Sequence, residues 1–324
     1  MKQHNILCAT DNNFIPYCGI MLTSLFEKNK DIKFNVFILS EGLNKKNITD
    51  IATLADIYQQ NIEIVIVKEE LLKNCPIRKG DHVSIATYYR IIAPELLPSR
   101  IDRVLYLDCD IIINNCITEL YNTNLDDKAF GAIIDEDHLN TEKYSRLNIA
   151  FNKGYINAGV LLMNLKYWRE HHLVDKCLAY IRDNQEKLKQ HDQDVLNAVL
   201  YDKIKLLPLR YNFQTGFIYK NVVLEDQIIN EVQECMYTPI VVHYTGPNKP
   251  WYKICDHPYR RRFLQYKSVS LWKDTPLIGK QSVRDIIKNA INVVIWQLGI
   301  KKKPQTFIIE KQALVDASKY HKAR

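Results

Sequence analysis

The sequence predicts an α/β protein built on a mostly parallel, doubly wound central sheet. Short apolar runs alternate with longer helix-like segments from Asn5 to Tyr244, the order that yields parallel strands joined by helical crossovers. Several of the runs are apolar along their whole length, as strands buried on both faces are. With 324 residues, 47% hydrophobic and 25% charged, the chain is long enough for one large domain, or a domain and a tail, around a substantial core.

The elements follow in order. Residues 5–10 form the first strand. Asp11-Asn12-Asn13 comes next, then a helix over residues 15–28. A polar cluster between a strand and a helix is where open α/β sheets bind ligands. It is equally where an Asp or Asn caps the helix. Residues 33–39 read as a second strand, 44–60 as a helix capped near Asn44, and 61–67 as a third strand. Ser84 opens a helix in which Arg90 stands among apolar residues. Arg90 is either a phosphate clamp or one half of an ordinary ion pair. Pro94 and Pro98 break the chain before the central strand.

That strand, residues 104–113, carries Asp108 and Asp110 among apolar neighbours. An unpaired buried charge is costly, so something must neutralise them. Side chains two apart in an extended segment point the same way, which sets both carboxylates on one spot and Cys109 opposite. Such a pair suits a hard divalent cation shared with substrate phosphates, or caps the segment that follows. Residues 129–134 form another strand, ending in Asp135-Glu136-Asp137. Residues 155–164 hold Ala158-Gly159, small residues that admit a ligand or serve packing. Residues 166–188 read as one surface helix, and His191-Asp192-Gln193-Asp194 opens the next. One of its aspartates suffices for capping. Residues 240–244 form a buried strand followed by a Gly246-Pro247 turn and Lys249. His243 at its end is a satisfied structural residue or a metal ligand.

Several classes are excluded. There is no glycine-rich phosphate loop and no GxGxxG fingerprint. Eight scattered cysteines without a CxxC pair argue for reduced thiols, as in the cytosol, rather than disulfides or zinc. The amino terminus does not read as a secretory leader, and no run approaches the roughly 18 apolar residues of a membrane span.

Taken together, Asp11-Asn12-Asn13, Tyr88-Tyr89-Arg90, Leu107-Asp108-Cys109-Asp110, Asn157-Ala158-Gly159-Val160, Asp192-Gln193-Asp194 and residues 243–251 resemble, in order and spacing, the motifs of family-8 glycosyltransferases. That family includes bacterial lipopolysaccharide galactosyl- and glucosyltransferases and glycogenin. The resemblance implies a GT-A catalytic domain over residues 1–258, and retaining transfer of galactose or glucose from a UDP-sugar to a glycan or glycolipid acceptor. It implies Mn2+, or Mg2+, held by Asp108, Asp110 and His243. UDP would lie against Ala9, Thr10, Asp11, Asn13, Cys109, Gly246 and Lys249. The donor sugar would meet Arg90, Asp135, Asn157, Ala158 and Asp192. Gln193 would lie beneath the anomeric carbon. A neutral amide is a poor nucleophile, which favours attack on the face the leaving group departs from, over a covalent route through Asp192. Asn12 departs from the second aspartate common in bacterial members.

The charge is divided unevenly. Residues 260–324 hold 15 Lys and Arg against 4 Asp and Glu, a balance of +11; with a net charge of +7 for the chain, the first 259 residues carry −4. Residues 259–324 therefore read as a basic, mainly helical tail for an anionic membrane surface, with one basic-aromatic patch at 259–266 and an interfacial helix over 286–298. The expected location is cytoplasmic, peripheral on the inner face of the membrane. Two other classes remain: a nucleotide-sugar-binding protein without catalysis, and a basic nucleic-acid-binding protein, although no recognised nucleic-acid motif accompanies the patches.

Overall fold

Apolar runs of β-branched and aromatic residues become strands with both faces covered. The computed structural model describes residues 3–77, 84–218 and 226–279, together with 291 and 295. Seven strands form the main sheet: β1 (Gln3–Ala9), β2 (Lys33–Ser40), β3 (Asn61–Ile66), β4 (Arg103–Leu107), β6 (Phe130–Ile134), β7 (Ile156–Asn164) and β8 (Ile204–Leu206). Their order is β3-β2-β1-β4-β7-β6-β8. Four pairings are parallel; β7 runs antiparallel to both its neighbours. A second sheet, ordered β5-β10-β9, joins β5 (Ile111–Ile113), β9 (Phe213–Gln214) and β10 (Val241–His243).

The helices are α1 (Ile15–Lys28), α2 (Lys45–Tyr58), α3 (Tyr89–Leu96), α4 (Thr118–Asn122), α5 (Thr141–Leu147), α6 (Leu165–Glu170), α7 (Leu173–Asp183), α8 (His191–Leu200), α9 (Asp226–Tyr237) and α10 (Arg260–Val269). Successive strand residues feed opposite layers, as the pleat requires. Leu7, Phe37, Val104 and Tyr106 pack on the side of α3, α7 and α8. Ile6, Val36, Leu105 and Leu107 pack on the side of α1, α2 and the second sheet. Asn44 caps α2 by accepting the Asn47 N–H. Phe14 stands at the N-cap of α1 without a side-chain cap, and Asp11 closes the turn before it, its Oδ1 accepting the N–H groups of Asn13 and Phe14.

The structure differs from the sequence reading in four places. Residues 104–113 are two strands in two sheets. The chain leaves β7 after the Asp108 N–H bonds Gly159 O, turns, and joins β10, where the Tyr244 N–H bonds Asp110 O. Apolar residues flank the turn on both sides, which hides it from periodicity. Residues 166–188 are two helices, because His172 takes a left-handed backbone, φ 51°, between α6 and α7. Ser84 caps nothing with its side chain; a 3₁₀ turn over Ile85–Tyr88 leads into α3. Tyr259, Phe263 and Tyr266 are core residues beneath α10, which packs on α1, so the aromatic half of that basic patch serves the body. Arg261 and Arg262 stay at the surface. The helix expected over 286–298 lies outside the described residues, apart from residues 291 and 295.

Candidate active site

The turn between β4 and β5 is where the two sheets meet. It brings Asp108 and Asp110 against His243, the last residue of β10. One ligand atom from each of the three lies within 4.8 Å of the others. His243 Nδ1 is 2.8 Å from Asn212 Oδ1. The Asn212 amide nitrogen is engaged by Asn157 Oδ1 at 2.9 Å, so Oδ1 faces the imidazole and Nδ1–H donates to it. His243 Nε2 is left as the lone-pair atom, 3.1 Å from Asp110 Oδ1 and 3.9 Å from Asp108 Oδ2. Two carboxylates and an oriented imidazole fit Mn2+ or Mg2+. Gly159 makes room for them: a Cβ there would lie 2.2 Å from His243 Cε1 and 2.9 Å from Asp108 Oδ2.

Cations balance the carboxylates. Lys249 Nζ lies 2.5 Å from Asp110 Oδ2. Burial opposes ionisation of Asp110, but the Lys249 ammonium, joined by His243 when its ring also carries a proton on Nε2, holds the carboxyl well below the usual range. Arg90 Nη2 donates to Asp108 Oδ1 at 2.9 Å, and its Nε lies 3.0 Å from Asp192 Oδ2. The guanidinium also sits 4.2 Å from the Tyr106 ring centre. Arg90 is therefore a buried ion-pair partner of two carboxylates. Thr87 Oγ1 donates to Asp192. Burial pushes the Asp192 carboxyl up, against the pull of Arg90 and Thr87.

A second network lies beside the first. Asp135 Oδ2 accepts from Asn157 Nδ2 at 3.2 Å and from Gln193 Nε2 at 3.1 Å. Its Oδ1 accepts from Lys143 Nζ at 2.8 Å. The other end of the Gln193 amide accepts the Ala158 N–H at 3.1 Å. The chain Asp135–Asn157–Asn212–His243 thus links the two networks through amides whose orientation a carboxylate sets. Asp194 has another role. It is fully buried, paired with Arg146 at 2.7 Å, and its Oδ2 accepts the Lys189 and Gln190 N–H groups at the start of α8.

Two hollows open on this cluster and share Asp108, Asp110 and Lys249. The smaller, about 180 Å³, is lined by Ala9, Thr10, Asp11, Cys109, Thr87 and Arg90 among others. The larger, about 390 Å³, is lined by Asp135, Asn157, Gln193, His243, Gly246 and Lys143 among others. Gly246 takes φ 73° with open space where a Cβ would point. Asn13, Ala158 and Asp192 line neither hollow. Asn13 is exposed, and Ala158 and Asp192 lie behind the wall. Asn12 ties the β1–α1 turn to α2: its Nδ2 donates to Gly42 O while its Oδ1 accepts the Asn44 N–H, two roles an aspartate cannot combine.

Sequence reasoning missed Tyr106, Thr87, Lys143, Arg146 and Asn212. Lys143 and Arg146 lie three apart on α5, a spacing that puts them on one face, but nothing local names Asp135 and Asp194, the buried carboxylates they meet. Asn212 carries no signal at all.

Known proteins resemble this chain in sequence and fold. The family model described as glycosyl transferase family 8 matches residues 5–255. A lipopolysaccharide 1,2-glucosyltransferase of Escherichia coli is 31% identical over 85% of this chain and 81% of its own length. A lipopolysaccharide 1,3-galactosyltransferase of Salmonella typhimurium is 30% identical over 92% of this chain and 88% of its own. Among solved structures, the galactosyltransferase LgtC in complex with donor and acceptor sugar analogues superposes with a TM-score of 0.76 and 27% identity, covering 82% of this chain and 96% of that one. With the matching model spanning most of the chain and the carboxylate–histidine cluster in place, this protein belongs to glycosyl transferase family 8.

Proposed function

We propose that the chain transfers galactose or glucose from a UDP-sugar, with retention of configuration, to the sugar end of a cell-surface glycan such as lipopolysaccharide. The observation that carries this reading is the junction of the two hollows at Asp108, Asp110 and Lys249. A nucleoside in the smaller hollow and a sugar in the larger would put the diphosphate between them, against that cluster. The names of the matched relatives support lipopolysaccharide as the acceptor class.

Asp108, Asp110 and His243 would hold Mn2+ or Mg2+, which when bound offsets the negative charge growing on the departing diphosphate. Lys249 adds a second positive charge at the same place. Asp11 and Thr10 would contact the nucleoside, and Gly246 would let the backbone approach the phosphates. Asp135 and Asn157 would hold sugar hydroxyls. The acceptor hydroxyl attacks the anomeric carbon as the bond to the diphosphate breaks. The electron pair leaves with UDP, and the proton passes to a phosphate oxygen on the same face. The Gln193 amide is bonded at both ends and is suited to positioning. Asp192 is tied to Arg90 and Thr87 behind the wall, which argues against its use as a nucleophile. The basic residues of 260–324 would hold the enzyme at an anionic membrane surface.

The test is a donor screen. Purified protein is given UDP-galactose, UDP-glucose and UDP-N-acetylhexosamines with Mn2+ or with chelator, and free UDP is followed. Release from one hexose donor that stops with chelator is expected. Asp108→Asn and Asp110→Asn should each lower that release about a hundredfold or more. Near-normal turnover in either variant would sink the metal assignment.

A further inference from the structure

Glu136 is a carboxylate that the transfer scheme does not use. It stands two residues past the end of β6, between Asp135 and Asp137, and lines the larger hollow. Its backbone N–H donates to Gln214 Oε1 at 2.9 Å. Its Oε2 accepts the Gly216 N–H at 2.5 Å and the Thr245 hydroxyl at 2.8 Å. Gly216 permits this approach, because a Cβ there would lie 2.7 Å from Glu136 Cδ. Both side-chain bonds converge on one oxygen. Among the described residues, none donates to Oε1.

That tie alone does not need a charge. A glutamine carbonyl would accept both donors without the cost of keeping an ionised group in a partly buried place. Burial in fact raises the carboxyl's pKa against the pull of Gly216 and Thr245. A carboxylate is thus held on a cavity wall by two hydrogen bonds to one oxygen, and its backbone by a third, with the other oxygen free of protein partners among the described residues. A pre-oriented acceptor of this kind binds hydroxyl donors without a further ordering cost. We propose that Glu136 Oε1 accepts hydrogen bonds from hydroxyls of the acceptor sugar and selects a neutral pyranose there. The surrounding charge points the same way. Of the cations in the described lining, Lys143 is taken up by Asp135 and Asp137, at 2.8 and 3.3 Å, and Lys249 by Asp110. A phosphate- or carboxylate-bearing ring would face the row Asp135-Glu136-Asp137 instead. This inference rests on the transferase reading.

The experiment follows UDP release by the full chain with Mn2+ and the donor that turns over. The acceptor probes are the methyl glycosides of glucose, galactose and N-acetylglucosamine, and glucose 6-phosphate. Glu136→Gln keeps a carbonyl for Gly216 and Thr245 and places an NH2 group where Oε1 stands. At least one neutral pyranoside should accelerate release, and glucose 6-phosphate should not. Glu136→Gln should raise the acceptor KM about tenfold or more, well beyond any change in donor KM. Equal shifts in the two constants, or none, would assign Glu136 to the fold alone. Donor turnover that no neutral probe accelerates, or that only the phosphate accelerates, would overturn the inference and leave the transferase reading standing. That arm uses the wild-type protein and stands even if the variant fails to fold. No UDP release from any donor would remove the transferase reading, and this inference with it.

Discussion

Gly159 shows how one residue shapes the proposed metal site from behind. The imidazole of His243 occupies the space a side chain would need, so any Cβ displaces a proposed ligand. Gly159→Ala should therefore raise the Mn2+ concentration for half-maximal activity about tenfold or more, the usual scale for disturbing a ligand's support. An unchanged Mn2+ titration would show that His243 is not a ligand. A second residue governs pH dependence. Burial, with Lys249 nearby, pushes His257 from 6.5 down to about 3. Between those values the unfolded chain binds a proton that the folded chain refuses. Stability therefore falls as pH drops through that window, by up to about 1.4 kcal/mol per unit. His257→Gln should flatten this slope in urea unfolding compared at pH 7 and pH 5, and an unaltered slope would contradict it.

At the scale of elements, the clearest contact is between α1 and the segment after α10. A Cβ on Gly19 would lie 1.9 Å from the Trp272 ring, and Trp272 is buried. Gly19→Ala should cost about 2 kcal/mol or more by overpacking, read as a lowered thermal midpoint. In a Trp272→Ala background the same change should cost far less, because the two sites share one space. Additive costs would mean that Trp272 is not seated on α1. This contact was not legible in the sequence, where Trp272 falls in a segment assigned to the tail by charge. The bounds of α1 and the start of α2 were legible, because turn-forming Asp11 and Asn44 precede clear apolar patterns, whereas α2 ends two residues before the expected Gln60, at a left-handed Gln59. The break at Asp108–Asp110 was not. Apolar residues flank it, and the change of sheet depends on β7 and β10, far away in the chain.

For the whole molecule, charge and fold divide at different places. The folded body extends through α10 to Trp272, while the basic excess begins at Arg260. No helix among the described residues is long and apolar enough to cross a membrane. The proposed attachment through the basic residues of 260–324 would act by surface charge. The full chain should sediment with vesicles of anionic phospholipid and not with neutral ones. Changing Lys301, Lys302 and Lys303 to Gln should weaken that binding tenfold or more, at about 1 kcal/mol per charge near the surface. Equal binding to both vesicle types would rule out the electrostatic account.

The sequence by itself determined the alternation of strands and helices, the acidic strand end at Asp135-Glu136-Asp137, and the residue types that could hold a divalent metal. Each is a local pattern, carried by side chains two to four positions apart. Only the tertiary structure decided that Asp108 and Asp110 meet His243, that Asn212 orients that histidine, that Arg90 is consumed by two carboxylates, and that one Glu136 oxygen has no partner among the described residues. Those facts depend on partners from 18 to more than a hundred positions away, and on which lone pair each neighbour already occupies. No local periodicity records that information.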